Sequence, residues 1–145
     1  MLLRKDEKEA MFITRECDYA VRVVRSLAGQ EKLSVGEICE MEGITAPFAY
    51  KILKKLEQAG YVKGYRGVHG GYMLQRKPES LTLLDVYLAI DPEMFIIECL
   101  DPDHPCARDG ADGEPCMVHR ELASIQTEFW NMLKRKNLQQ ILDGE

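Results

Sequence analysis

Apolar residues recur at helical spacing near the start of the chain. Tyr19, Val23 and Leu27 fall on one face of a helix that Thr14 is placed to cap and that Gly29 ends. The pattern predicts an amphipathic first helix whose apolar stripe faces a core.

Two further helices follow with a short connection between them. Ser34 and Glu37 form a capping box, and the helix that they begin stops at Gly43. Thr45 is placed to cap the next helix, and Pro47 is tolerated in its first turn. About two residues, around Gly43 and Ile44, therefore join the two helices, which is the spacing of a helix-turn-helix motif.

The third helix separates apolar from polar positions. Phe48, Ile52 and Leu56 fall on its inward stripe, so its hydroxyl and ammonium groups lie largely on other faces. Such groups suit base edges and phosphates in a major groove, although exposed lysines are also common on a solvated helix face. The residues of this helix that we predict to contact DNA are Thr45, Pro47, Phe48, Tyr50, Lys51, Lys54 and Lys55.

The apolar period then changes from helical to alternating. Residues 61–66 and 72–76 are rich in β-forming side chains, and glycines lie between them. We predict a β-hairpin, which forms a wing when it directly follows a helix-turn-helix motif. Arg66 and His69 are expected near its tip, where they can enter a minor groove.

Residues 91–115 have a different composition, with four of the six prolines of the chain. A connection of this length without regular structure is uncommon unless it has a function. Cys99 and Cys106 lie in it, Cys116 follows at once, and His119 is three residues further on. Three thiolates and an imidazole suit a metal ion or an iron–sulfur cluster. Free thiols and a disulfide remain alternatives.

A second long helical pattern begins at Pro115. Its apolar residues step by four and three positions in turn, which is a heptad seam that packs on a partner helix. We predict that this helix packs on a partner helix through the seam. The seam consists of Val118, Leu122, Ile125, Phe129 and Met132.

Charge is divided along the chain. The 145 residues carry a net charge of −5, yet residues 44–77 hold seven basic residues and one acid, whereas residues 79–118 hold ten acids and one basic residue. A basic half points to an anionic partner such as nucleic acid. No apolar run is long enough for a membrane span, and residues 1–10 lack the apolar region of a secretory signal. We therefore expect a cytoplasmic protein with reduced thiols.

These motifs resemble those of the Rrf-two family of winged-helix transcriptional regulators. Family chains usually begin where Met11 stands, so residues 1–10 are interpreted as an extension. The resemblance covers nearly all of residues 11–142 and is carried by Asp18–Ala20, Lys51–Leu56, Ala59–Val62, Tyr65–Gly67, Gly70–Leu74 and Leu81–Asp85.

The resemblance implies a homodimer that binds palindromic operator DNA and holds an iron–sulfur cluster by three loop cysteines, which match Cys99, Cys106 and Cys116. In IscR-like members the fourth ligand is a histidine, which His119 matches. In NsrR-like members it is an aspartate from the first helix of the partner, which Asp18 matches. The cysteines of this chain are more widely spaced than is usual in the family, and a 2Fe–2S cluster is favoured over a 4Fe–4S cluster.

Other residues have less specific interpretations. Cys17 and Cys39 are expected to be buried helix cysteines. His104 precedes a proline and Cys106, and it is an alternative ligand in place of His119.

The predicted fold is mainly α with a small β-hairpin. It divides into an N-terminal extension (1–10), a winged helix-turn-helix domain (11–90), a cysteine-bearing cluster loop (91–115), and a long C-terminal dimerisation helix with a tail (116–145).

The predicted function is that of a DNA-binding regulator that senses iron–sulfur, redox or nitrosative status. The alternative is a cluster-free repressor of the same family that responds to a metabolite, to thiol oxidation or to a partner protein. An electron carrier or cysteine enzyme ranks last, because no Cys–His–acid relay is apparent in the sequence.

Overall fold

The computed structural model describes residues 13–110 and 113–145, so the expected extension at residues 1–10 lies outside the described part. The described residues are mainly α-helical with one antiparallel hairpin, as predicted, and none of their helices is long and apolar enough to cross a bilayer. In chain order the elements are α1 (Arg15–Leu27), α2 (Val35–Glu42), α3 (Ala46–Gln58), β1 (Val62–Tyr65), β2 (Gly71–Leu74), α4 (Leu83–Ile90), α5 (Met117–Lys134) and α6 (Leu138–Leu142), with short 3-10 turns at Pro78–Ser80 and Glu98–Leu100.

Polar side chains at the N-termini determine where several helices begin. The Thr14 hydroxyl accepts a hydrogen bond from a backbone N–H in the first turn of α1 at 3.2 Å. Ser34 and Glu37 form the predicted capping box of α2, with N···O distances of 3.2 and 2.7 Å. Thr82 and Asp85 do the same for α4. These bonds satisfy N–H groups that have no partner within the helix.

α3 begins without such a bond. Thr45 occupies the N-cap position with extended backbone, but its hydroxyl does not cap the helix, so the expected side-chain cap is wrong. Pro47 lies in the first turn, where the missing N–H costs nothing.

The core lies among α1, α2, α3 and α4, and α1 packs against the other three. The apolar stripes predicted for α1 and α3 are buried there, including Val23, Ile52 and Leu56. Phe48 differs, because it lies at the edge of its stripe and is 42% exposed, with its ring edge-on to Tyr19 at a centroid distance of 5.7 Å. Its predicted inward position is therefore wrong.

The wing is an antiparallel hairpin in which Val62 lies opposite Leu74. Leu33, from the α1–α2 connection, adds a third strand position by exchanging two backbone hydrogen bonds with Tyr72, at 2.9 and 2.7 Å. A Cβ on Gly71 would lie 2.6 Å from the Leu33 carbonyl oxygen, so this crossing requires glycine. The pairing ties the wing to the first half of the domain.

The C-terminal helices lie against the winged domain. α5 begins at Met117 rather than at the predicted Pro115, because Cys116 occupies the N-cap position. The backbone N–H of Leu138, the first residue of α6, donates to the Leu81 carbonyl at 2.8 Å, and the Leu138 side chain is buried. The tail therefore packs on its own chain beside the start of α4.

Candidate nucleic-acid interface and cysteine loop

α3 presents a polar face to solvent. Thr45, Pro47, Tyr50, Lys51 and Lys54 are exposed, as the helical phase predicts. Tyr50 is 56% exposed and lies one position from a buried alanine, so its ring points away from the core. The rest of the described chain therefore leaves this face uncovered.

Lys55 differs from the other two lysines of α3 because its ammonium group contacts other helices of the same domain. Its Nζ lies 2.9 Å from Oε1 of Glu16 on α1 and donates to the carbonyl of Ile90 at 3.2 Å. Ile90 ends α4, where the free carbonyls attract a cation. One side chain thus joins α1, α3 and α4, a role that the periodicity of α3 did not predict.

The tip of the wing is a tight turn that carries exposed Arg66 and His69. A Cβ on Gly70 would lie 2.6 Å from the Tyr65 carbonyl oxygen and 2.8 Å from that of Gly67. The turn therefore requires glycine at this position to keep its two polar side chains projecting beyond the strands.

Sequence reasoning missed a lysine that supports this turn. Lys32 Nζ lies 4.5 Å from the centroid of the Tyr65 ring and donates to the carbonyl of His69 at 3.0 Å. A cation over an aromatic face is attracted to it, so Lys32 adds both support and positive charge beside the wing. Because it lies far from the wing in sequence, no local pattern indicates the contact.

A second ion pair fixes α2 relative to α1. Glu42 is buried, and its carboxylate accepts hydrogen bonds from Nε of Arg25 at 3.1 Å and from Nη2 of the same side chain. The hydrogen bond to Glu42 raises the pKa of Arg25 above its ordinary value. The pair holds the first helix of the helix-turn-helix motif in place.

The five cysteines are free thiols in two kinds of environment. Cys17 is buried, and burial raises the pKa of its thiol above 9.0. Cys39 is half-buried, which is less than expected. The three loop cysteines are half-buried as well: Cys99, Cys106 and Cys116.

Asp109 joins the parts of the loop that carry two of these cysteines and the predicted histidine ligand. Its carboxylate accepts the backbone N–H of Cys116 at 2.9 Å and lies 3.6 Å from Nε2 of His119. Its own N–H donates to the carbonyl of Cys106 at 3.2 Å. The other ring nitrogen of His119, Nδ1, is buried without a hydrogen-bond partner among the described residues.

His104 belongs to a separate group in the loop. Its Nδ1 lies 3.0 Å from the Asp101 carboxylate, which also accepts the N–H of Asp103. These bonds lower the pKa of Asp101 and raise that of His104. Within residues 13–110 and 113–145, no three His, Cys, Asp or Glu side chains lie close enough to hold one metal ion. Gathering three thiols therefore needs a change in the shape of the loop.

A buried amide anchors the start of the loop on α5. Gln126 is 3% exposed; its Oε1 accepts the N–H of Ile96 at 2.6 Å, and its Nε2 donates to the Met94 carbonyl at 3.4 Å. The ring of Trp130, one helical turn further along, packs on Phe95 at 5.9 Å. The loop is thus joined to α5 at both ends, since Cys116 occupies the N-cap position of that helix.

The predicted seam of α5 divides by exposure. Val118, Ile125 and Met132, spaced seven apart, are 67%, 44% and 60% exposed. Leu122 and Phe129 are half-buried. A row of exposed apolar residues on one face of a helix is what a second helix covers.

Two helices in a helix-turn-helix arrangement, α2 and α3, followed by a hairpin, define a winged helix-turn-helix protein. That class binds DNA through the second helix of the motif and the wing. The chain belongs to the Rrf2 family, whose family model matches residues 13–144 and is described as an iron-dependent transcriptional regulator. The chain is therefore a member of a family of transcriptional regulators, as the sequence resemblance implied.

Relatives match over part of the chain. The HTH-type transcriptional regulator NsrR of Bacillus subtilis is 32% identical over 94 residues, which are 63% of this chain and 64% of that protein. Protein rrf2 of Nitratidesulfovibrio vulgaris is 30% identical over 99 residues, 66% of this chain and 65% of that protein. The chain thus spans slightly less than two thirds of the length of these relatives.

Solved structures match over nearly the whole chain. IscR of T. potens has a TM-score of 0.68 at 22% identity and covers 92% of this chain and 88% of its own. CymR, the global cysteine regulator of B. subtilis, has a TM-score of 0.70 at 21% identity and covers 92% and 97%. These similarities confirm the winged-helix fold.

Proposed function

We propose that the chain forms a homodimer that binds palindromic operator DNA, and that an iron–sulfur cluster held in the cysteine loop sets its affinity. The observation that carries the proposal is the junction of this loop with α5, where Asp109 ties the Cys106 segment to Cys116 and His119. Ligand-type residues therefore lie at the amino end of the helix that carries the exposed apolar seam. The description of the family as iron-dependent supports the same assignment.

In this proposal α3 enters the major groove and the wing enters the minor groove. Exposed Thr45 and Tyr50 face the base edges, and Lys51 and Lys54 face phosphates. Each lysine–phosphate contact adds about 0.9 to the slope of log affinity against log salt, so binding should weaken steeply as salt rises. Two subunits would read half-sites about one helical turn apart, or a multiple of it.

The donor set fits an iron–sulfur cluster. Cys99, Cys106 and Cys116 supply thiols, and the positive amino end of α5 favours their ionised form. His119 supplies a buried ring nitrogen that has no partner among the described residues. Asp18 is the other candidate fourth ligand; it is exposed at the start of α1 and pairs with a neighbouring arginine.

When bound, such a cluster supplies a redox-active centre, and we expect the 2Fe–2S form. Closing the loop on it would pull on both of its attachments to α5. The proposal therefore requires that the two arrangements of the loop differ in how they hold the dimer helix.

Anaerobic purification with iron and sulfide counted per chain tests the cluster. We expect iron, sulfide and visible absorption in the wild type, their loss in Cys106→Ala, and no loss in Cys39→Ala, a matched change outside the loop. Wild-type protein with none of the three signals would contradict the cluster. Binding to duplex DNA is measured separately, so the two halves of the proposal can fail independently.

A cluster-free regulator is the second candidate. It is favoured by the arrangement of the loop, in which no three ligand-type side chains of the described residues meet. The loop thiols would then act as redox groups, and DNA affinity would change with peroxide and recover with a thiol reductant. An iron chelator would leave that affinity unchanged, whereas it would alter that of a cluster-bearing protein.

A further inference from the structure

A carboxylate from α1 lies against the lysine-rich face of α3. Oε1 of Glu16 is 2.9 Å from Nζ of Lys55 and 3.7 Å from Nζ of Lys51. That oxygen is shielded from solvent and accepts no directed hydrogen bond from the described residues, so charge attraction defines its contacts.

The two lysines are held to different degrees. Lys55 has a second anchor at the Ile90 carbonyl, and its side chain is 33% exposed. Lys51 is 59% exposed, and the longer contact with Glu16 is its one ion pair among the described residues. Lys54 is exposed and has no ion pair within the described part of the chain. Lys55 therefore fixes the carboxylate in place, and Lys51 is the partner that can leave.

We infer that Glu16 is a positioning residue for DNA binding, which competes with DNA phosphate for Lys51. This inference goes beyond the proposed function and rests on its DNA-binding half. To reach a phosphate, Lys51 must leave a carboxylate that stays close by and repels the same phosphate. The internal pair thus weakens the sequence-independent part of binding, which comes from lysine–phosphate contacts.

The substitution Glu16→Gln tests this competition in the full-length chain. The probe is a random-sequence duplex, and affinity is followed by fluorescence anisotropy between about 50 and 200 mM salt. We expect tighter binding and a slope of log affinity against log salt that is steeper by about 0.9 per subunit, because Glu16 no longer offsets the phosphate contact of each Lys51. Glu128→Gln makes the same change in charge on the exposed surface of α5 and should leave the slope unchanged.

A double-mutant cycle with Lys51→Gln separates competition from a general loss of negative charge. The effect of Glu16→Gln on the slope should vanish when Lys51 is absent. If it persists there, or if folded Glu16→Gln has an unchanged or shallower slope, the inference is wrong. If circular dichroism shows that Glu16→Gln does not fold, Glu16→Asp replaces it, because aspartate keeps the charge but reaches less far towards Lys51. The salt slope of Glu16→Asp should be steeper than that of the wild type. An equal slope would overturn the inference.

The outcomes also separate this inference from the proposed function. If the wild type binds no duplex at all, DNA binding and the inference fail together. If the wild type binds and loses affinity with salt while the Glu16 variants match it, the inference alone fails.

Discussion

Gln126 offers a direct test of how the cysteine loop is held on α5. Replacing it with leucine introduces an apolar side chain of similar size but removes the partners of the Ile96 N–H and the Met94 carbonyl. A buried polar group that loses its partner costs about 1–3 kcal/mol. Because one of the two bonds is long at 3.4 Å and Ile96 is half-buried, the lower end applies to each group. We expect Gln126→Leu to lower the free energy of unfolding by about 2 kcal/mol.

Urea unfolding followed by circular dichroism measures this loss. With a typical dependence on urea, about 2 kcal/mol lowers the midpoint by roughly 1 M. Gln139→Leu is the matched control, because the Gln139 amide bonds Asp143 at the surface of α6, and a surface change of this kind stays within about 0.5 kcal/mol. Limited proteolysis should also cut the Gln126 variant faster near Ile96. If both variants unfold at the same urea concentration, the amide is not a structural anchor.

Three further predictions test the DNA-binding lysines, the turn of the wing and the buried titratable groups. Lys54→Gln should make the salt slope of DNA binding shallower by about 0.9 per subunit, and an unchanged slope would remove Lys54 from the interface. Gly70→Ala should weaken DNA binding while leaving helix content unchanged, because its Cβ would lie 2.6 Å from the Tyr65 carbonyl oxygen; wild-type affinity would contradict the assigned role of the turn. The free energy of unfolding should fall as the pH rises above 9.0, because burial raises the pKa values of Cys17 and Tyr87 and the unfolded chain then releases protons that the folded chain retains. Urea midpoints that stay level from below 9.0 to above 10.0 would contradict this sign.

The helix boundaries were predictable because the signals that set them are local. Ser34 and Glu37 lie three positions apart, as do Thr82 and Asp85, so each capping box can be recognised in a short window of sequence. The α5 boundary was missed by two residues because Pro115 is equally compatible with a position just before the helix. Local rules thus account for the elements and most of the buried stripes.

The contacts that shape the candidate sites were not predictable from local patterns. Glu16 and Lys55 lie on different helices, and so do the Gln126 amide and the segment that it holds. From the sequence alone, a glutamine in a helix is expected at the surface, and a lysine on a polar helix face is expected to bind phosphate. In each case the role depends on which distant backbone atom or charge the fold brings opposite, as the contact of Lys32 with the wing also shows.

These contacts connect the start of the cysteine loop to the lysine-bearing face of α3 through the end of α4. The Ile90 carbonyl, which anchors Lys55, ends α4, and four residues later the Met94 carbonyl is held by Gln126 on α5. A rearrangement of the loop that moves the segment between these two anchors would act directly on the end of α4. Because Lys55 also fixes the carboxylate of Glu16, such a movement would change how firmly Lys51 is held. Under the proposed function, chemistry at the loop therefore alters phosphate contacts within one subunit, in addition to any change in how the loop holds the dimer helix.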